Sequence, residues 1–198
     1  FWYLPTDDGR TFTARLSGSL LASNPDADTA GLYRRMNATQ AGIADLRAWF
    51  TLHAVNSRRQ LFEVLSQFWE NHFVTQYQKS YDYLPSDYPN VLQECLATEW
   101  ESREMVKWRN AMLNPQCTFY DLLRISAESP AMIVYLDTVN SRGDGTRIAN
   151  ENYARELLEL FCFGVDNGYD QNDIVLMSRA WTGWSVDIVD KENVDDPL

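Results

Sequence analysis

Leu61-Phe-Glu-Val-Leu-Ser-Gln-Phe-Trp-Glu-Asn-His-Phe73 is the stretch that sets the fold class. Leu61, Leu65, Phe68 and His72 recur at helical spacing, and Phe62, Trp69 and Phe73 form a second apolar row beside them. A 3.6-residue apolar period marks a helix, and two rows mark one that is buried on more than one side. The stretch therefore predicts the central helix of a bundle. Ser57-Arg58-Arg59-Gln60, just ahead of it, has the form of a capping box.

The same period extends on both sides. Upstream, Ile43, Leu46, Phe50 and His53 share a stripe. Downstream, Gln76 to Asn90 carries Tyr77, Tyr81, Tyr83 and Tyr88 with Pro85 and Pro89, and is expected to be an aromatic loop because proline disfavours a continuing helix. A helix is expected from near Val91 to about Arg109, ending before Asn114-Pro115. Thr118 should cap a short helix, and Ser129-Pro130 has the cap-then-proline form that opens another. Asn140 to Ala149, with two glycines and no period, reads as a loop before Asn150 caps the next helix. Gly164 should stop that helix, and Asp170 should open a last one through Trp181. The fold expected is all-α or nearly so, a multi-helix bundle with an irregular or β-containing N-terminal segment over 1–27. Residues 28–186 form the helical domain, and 187–198 an acidic tail or linker.

The chain has 198 residues, 45% of them hydrophobic, which suffices for a packed core. Twenty-eight acidic against 17 basic residues give a net charge of −11, which argues against nucleic acid and anionic membrane surfaces as partners. No apolar run is long enough to span a bilayer, so no direct membrane insertion is expected. Residue 1 is Phe and no charged segment followed by an apolar one appears, so any targeting segment is expected to have been removed or to lie outside this chain, a mature or trimmed piece. Cys95, Cys117 and Cys162 lack metal-knuckle spacing; a Cys95–Cys117 bridge with Cys162 buried, or three reduced thiols, both fit.

Three constellations could carry chemistry. On a helical wheel Glu151, Asn152, Arg155, Glu156 and Glu159 share an arc of about 140°, opposite Tyr153, Ala154, Leu157 and Leu158. The structural reading is a face laced by i,i+4 ion pairs, each worth about 0.3–0.5 kcal/mol. The functional reading places Arg155, Glu156 and Glu159 around a pocket with His72, with Glu151 and Asn152 as binding residues, in a hydrolase or metal-assisted enzyme. His72 on an apolar stripe is otherwise a core histidine that needs a hydrogen-bond partner, a part Glu156 or Glu159 can fill. A ferritin-like two-metal centre is disfavoured because no Glu-x-x-His motif is present, and no metal ligand is assigned. The tyrosines Tyr77, Tyr81, Tyr83 and Tyr88 offer a third site, for carbohydrate or peptide. Phosphate loops, nucleophile elbows and zinc-helix motifs are missing, so no cofactor is identified.

Four blocks, Gln67-Phe-Trp-Glu-Asn-His-Phe73, Ser129-Pro-Ala-Met-Ile-Val-Tyr-Leu-Asp137, Ala149-Asn-Glu-Asn-Tyr-Ala-Arg-Glu-Leu-Leu-Glu-Leu160 and Ala180-Trp-Thr-Gly-Trp184, resemble the bacterial domain-of-unknown-function family 1800. The resemblance runs from about Arg58 to Trp184. It implies a helical, exported protein with an extracytoplasmic setting, and it implies no reaction. Asp170 stands where such sequences commonly have Thr, which keeps the capping oxygen, and Phe161-Cys162 stands where they commonly have a His-Thr pair. The family domain usually extends beyond Trp184, so the chain is expected to be a fragment of a longer polypeptide. Its expected partners are the rest of that polypeptide or another protein chain. The leading expectation is a structural or interaction domain that scaffolds the acidic helix.

Overall fold

The computed structural model describes residues 42–186 apart from 89 and 144–148; the readings of 1–27 and 187–198 lie outside the described residues. The described chain is helical, with eight α-helices and no strand. They are α1 (Ile43–Asn56), α2 (Gln60–His72), α3 (Tyr77–Tyr83), α4 (Asn90–Met112), α5 (Phe119–Ala127), α6 (Pro130–Tyr135), α7 (Asn152–Glu156) and α8 (Gln171–Ala180). A π-helical segment, Leu157–Cys162, continues α7. The chain divides into two compact units, one ending at Met132 and the other beginning at Ile133.

In the first unit the central helix is α4, which packs on α1, α2, α3 and α5. The sequence assigns that place to α2, and the structure corrects it. On α2 the row of Leu61, Leu65 and Phe68 faces solvent, with 73%, 40% and 53% of each side chain exposed, while Phe73 from the second row is buried. Glu63 and Ser66 are turned inward instead. α4 escapes an apolar-period reading because much of what it buries is polar: Gln93, Thr98, Ser102, Glu104 and Arg109 lie inside with Leu96, Trp100, Met105 and Trp108. Buried polar groups need partners, and several find them close by. Gln93 Nε2 donates to the Pro85 carbonyl at 2.9 Å, and Trp108 Nε1 donates to the Leu122 carbonyl at 3.1 Å.

The starts of α5 and α8 follow local chemistry. Thr118 and Asp170 each form a complete capping box, with Asp121 and Asp173 returning the bond. Ahead of α2 no such box forms: the Ser57 hydroxyl accepts from the Arg59 amide, and Gln60 Nε2 donates back to the Ser57 carbonyl. The expected aromatic loop is also corrected, since Tyr77–Tyr83 is a helix. Both prolines lie beyond its end, where they cannot break it.

In the second unit α7 packs on α8, and its π-helical continuation adds Leu158 to their shared core. Ala154, Leu158 and Ile174 form the core there, with Tyr169 and Met177 against it. Tyr153 stacks on Trp181 at 4.7 Å, and Trp181 meets Trp184 at 5.0 Å. The π-helix ends ahead of Gly164, whose φ of +92° is open to glycine and strained for other residues. No disulfide joins the cysteines: Cys95 is buried, Cys117 half-buried and Cys162, contrary to its expected burial, exposed.

Candidate functional site

The acidic interior of the first unit is the feature that packing alone does not explain. On α2, Glu63 and Glu70 are seven residues apart and so share one helix face. On α4, Glu101 and Glu104 occupy one stripe with Met105 and Trp108, at the i, i+3, i+4, i+7 spacing of a core-facing row. The turn after α2 adds Phe73, Val74 and Thr75. These elements enclose a cavity of about 160 Å³, lined by Glu70, Glu101 and Glu104 together with Thr75, Phe73 and Trp108.

Two kinds of carboxyl group meet here. Glu63 is a paired carboxylate. Arg109, only 2% exposed, donates to it through both terminal nitrogens at 2.7 and 2.8 Å. His53 Nδ1 stands 3.6 Å from the same carboxylate, and the guanidinium lies over the Phe62 and Trp49 rings at 4.7 and 5.2 Å. Burial would raise the pKa of Glu63, but His53 and Arg109 outweigh it and hold the group at about 2.

The other three carboxyls are not neutralised in this way, and among the described residues no Lys or Arg lines the cavity. Glu104 is 3% exposed. Its Oε2 accepts from the Ser129 hydroxyl at 2.6 Å, and the Ser126 hydroxyl is a second hydrogen-bond partner of the same carboxyl. Burial pushes Glu104 up to about 8 against the opposing Ser129 and Ser126 bonds. Burial, followed by the Glu101 charge, raises Glu70 to about 7, and its Oε2 is buried without a partner. Glu101 is raised by burial too, although Thr75 and Ser80 both donate to it. The Ser129 hydroxyl, read from the sequence as a helix cap, belongs to this cluster.

The residues singled out from the sequence lie elsewhere. His72, in the first unit, is half-buried among rings: it lies parallel to Phe68 at 5.9 Å, edge-on to Phe73 at 4.7 Å, and 6.2 Å from Phe119. In the second unit Arg155 donates to Glu151 at 3.1 Å and to Glu159 at 3.0 Å. Gln171, at the start of α8, closes a ring by donating to Glu151 at 2.9 Å and accepting from Arg155 at 3.2 Å. Glu156 takes no part in those bonds, and its carboxyl is raised by burial and by the Glu159 charge. The exposed Asn152 gives its backbone N–H to Asn150 Oδ1 at 2.8 Å, but the cap position of α7 is Glu151, which makes no side-chain cap bond, and not the expected Asn150. Tyr77 and Tyr81 stand 6.2 Å apart at 39°, and Tyr83 lies 6.2 Å from Trp100, so these rings tilt rather than form a flat platform. Tyr88 is half-buried.

Glu63, Glu70, Glu101, Glu104 and Arg109 were not singled out from the sequence. The signal that could have found them is a carboxylate recurring inside an apolar helical stripe, as Glu101 and Glu104 do between Trp100 and Trp108. Among the described residues no three or more His, Cys, Asp or Glu side chains are placed to hold a metal ion. No described helix is long and apolar enough to cross a membrane.

No curated protein and no solved structure matches the chain. The model of one family, described as a protein of unknown function (DUF1800), matches residues 7–196, and the chain belongs to that family.

Proposed function

We propose that this chain is a helical domain of an exported bacterial protein, and that its first unit binds a small ligand in the acidic cavity. The observation that carries this reading is the 160 Å³ space bordered by the Glu70, Glu101 and Glu104 carboxyls, with Glu70 Oε2 buried and without a hydrogen-bond partner. Unpaired buried acceptors cost roughly 1–3 kcal/mol each, so a fold that keeps them gains by offering them to a guest. A preformed cavity of about 150 Å³ accepts a guest the size of benzene. The exported, bacterial setting rests on the resemblance of the four sequence blocks. The ring of Arg155, Glu151 and Gln171, with Glu159 as a second partner of Arg155, supports the ion-pair reading over a catalytic one.

The test is ligand-observed and protein-observed NMR with fragments of up to about seven heavy atoms, following the Met105 methyl group and the Trp108 indole. Saturable shifts at both, lost when the half-exposed Val74 at the cavity edge is enlarged by Val74→Trp, are expected. Shifts confined to surface residues would contradict the reading.

A second reading, docking of another protein chain or of the rest of its own polypeptide, is favoured by the solvent-facing row of Leu61, Val64, Leu65 and Phe68 on α2. Replacing Leu61 and Leu65 by Lys should abolish such an association without lowering the stability of the domain. Unchanged association would contradict this reading.

A further inference from the structure

We infer that the apolar face of α2 is the contact through which two copies of this chain pair, α2 against α2 in an antiparallel, two-fold arrangement. This rests on the docking reading above and deepens it by naming the partner.

The face has the form that another helix fits. Leu61, Val64, Leu65 and Phe68 follow one another at i, i+3, i+4 and i+7, the spacing that interlocks with a second helix, and each is between 40% and 73% exposed. The stripe continues past the end of α2. His72 lies parallel to the Phe68 ring at 5.9 Å, and the exposed Phe119, at the start of α5, meets His72 at 6.2 Å and Trp69 at 5.7 Å. A contiguous exposed apolar surface of this kind marks an interaction site. A large side chain presents on the order of 200 Å² when fully open, so the open parts of Leu61, Val64, Leu65, Phe68 and Phe119 amount to about 1,000 Å² over two copies. That is the least a specific interface needs, roughly 1,000 Å², before its polar rim is counted.

Charge selects a second copy and fixes its direction. Both glutamates of α2 are turned inward, Glu63 to Arg109 and Glu70 to the cavity, so the outward face of α2 carries no acid in a chain whose net charge is −11. Two such stripes meet without stranding a carboxylate between them, and a patch that fits itself closes a dimer about a two-fold axis. The two ends of the stripe differ in sign. Arg58 stands exposed just ahead of α2, whereas at the other end Asp121 stands exposed two residues after Phe119, its carboxyl held in the ionised form by bonds from Thr118. Parallel pairing would set Arg58 against Arg58. Antiparallel pairing brings each Arg58 to the end that carries the partner's Asp121 and sets the α2 dipoles head to tail.

The experiment is sedimentation equilibrium on the full chain across the micromolar range, with circular dichroism and thermal unfolding of each variant beside it. The expected result is a reversible, concentration-dependent dimer. Leu61→Lys combined with Leu65→Lys should weaken it at least tenfold with helical content unchanged, since both side chains are exposed, and Val64→Lys serves if that variant fails to fold. Arg58→Glu reads the direction. In the antiparallel dimer it turns two attractive pairs into repulsive ones and should weaken association at least tenfold, whereas in a parallel dimer it exchanges one like-charge pair for another and changes little. A monomer at every concentration would overturn the inference and leave docking of a different chain to stand on its own test. A dimer of undiminished strength in the Lys variants, or one indifferent to Arg58→Glu, would overturn it as well.

Discussion

At the scale of single residues, the first unit contrasts a buried carboxylate that is fully paired with others that are not. Glu63 is held at about 2 by Arg109 and His53, which together outweigh its burial. Removing one member of such a pair strands the other, at a cost of roughly 3–5 kcal/mol. Arg109→Met should therefore destabilise the chain by about that much in urea denaturation, whereas Arg109→Met combined with Glu63→Met should recover most of the loss. Glu104 behaves in the opposite way. Its folded-state pKa, about 8, lies above the ordinary 4.5, so the stability it contributes is complete below 4.5 and is lost as pH rises through 8. One such group gives a slope of at most about 1.4 kcal/mol per pH unit. Glu104→Gln, which cannot ionise, should flatten stability between pH 5 and 8 relative to wild type, and a denaturation series across that range measures it. These residues escaped the sequence reading because a glutamate in an apolar stripe looks like one on a solvated face until its neighbour is known. Arg109 lies 46 positions from Glu63.

At the scale of elements, helix ends were legible and helix faces less so. Thr118 and Asp170 announce their helices by local chemistry alone, which is why both capping boxes are present. Asp170→Ala should cost roughly 0.5–2 kcal/mol by chemical denaturation, a loss confined to the start of α8 and visible as faster amide exchange at Asn172 and Asp173. Arg155→Ala should cost under about 1 kcal/mol, because its pairs are solvent-screened, and a larger loss would show the ring with Gln171 to be more than a surface network. The inward face of α2 was misread. Its Leu61, Leu65 and Phe68 row is the more regular apolar pattern, yet Glu63, Ser66 and Phe73 are the residues buried. Period alone marks an apolar stripe without saying whether it faces the core or a partner, and the Glu63–Arg109 pair fixes the orientation here. The helix from Tyr77 to Tyr83 was missed because the prolines that argued against it sit past its end.

At the scale of the whole chain, the helical class and the family were both legible before any contact was known, since each depends on patterns along the sequence. The acidic cavity was not, because it arises where α2, α4 and the turn after α2 meet. Its carboxyls give the molecule an unusual pH response. Glu70, Glu101 and Glu104 are raised, so their contributions are present at low pH and fade as pH rises through about 7 and 8 for Glu70 and Glu104. Glu63 is lowered, so its contribution is present above 4.5 and lost as pH falls through about 2. Stability should therefore peak near pH 4.5 and decline toward pH 9, the net charge of −11 adding self-repulsion in the same direction. Thermal unfolding at pH 3, 4.5, 7 and 9 measures this, and a plateau from pH 5 to 9 would count against it. The most direct test of the acidic interior is to follow the side-chain carboxyl resonances of ¹³C-labelled glutamate from pH 2 to 10. The account predicts one carboxyl titrating near 8, one near 7 and one near 2, assigned by Glu104→Gln, Glu70→Gln and Glu63→Gln. Titration of every glutamate between about pH 4 and 5, as in model peptides, would contradict it.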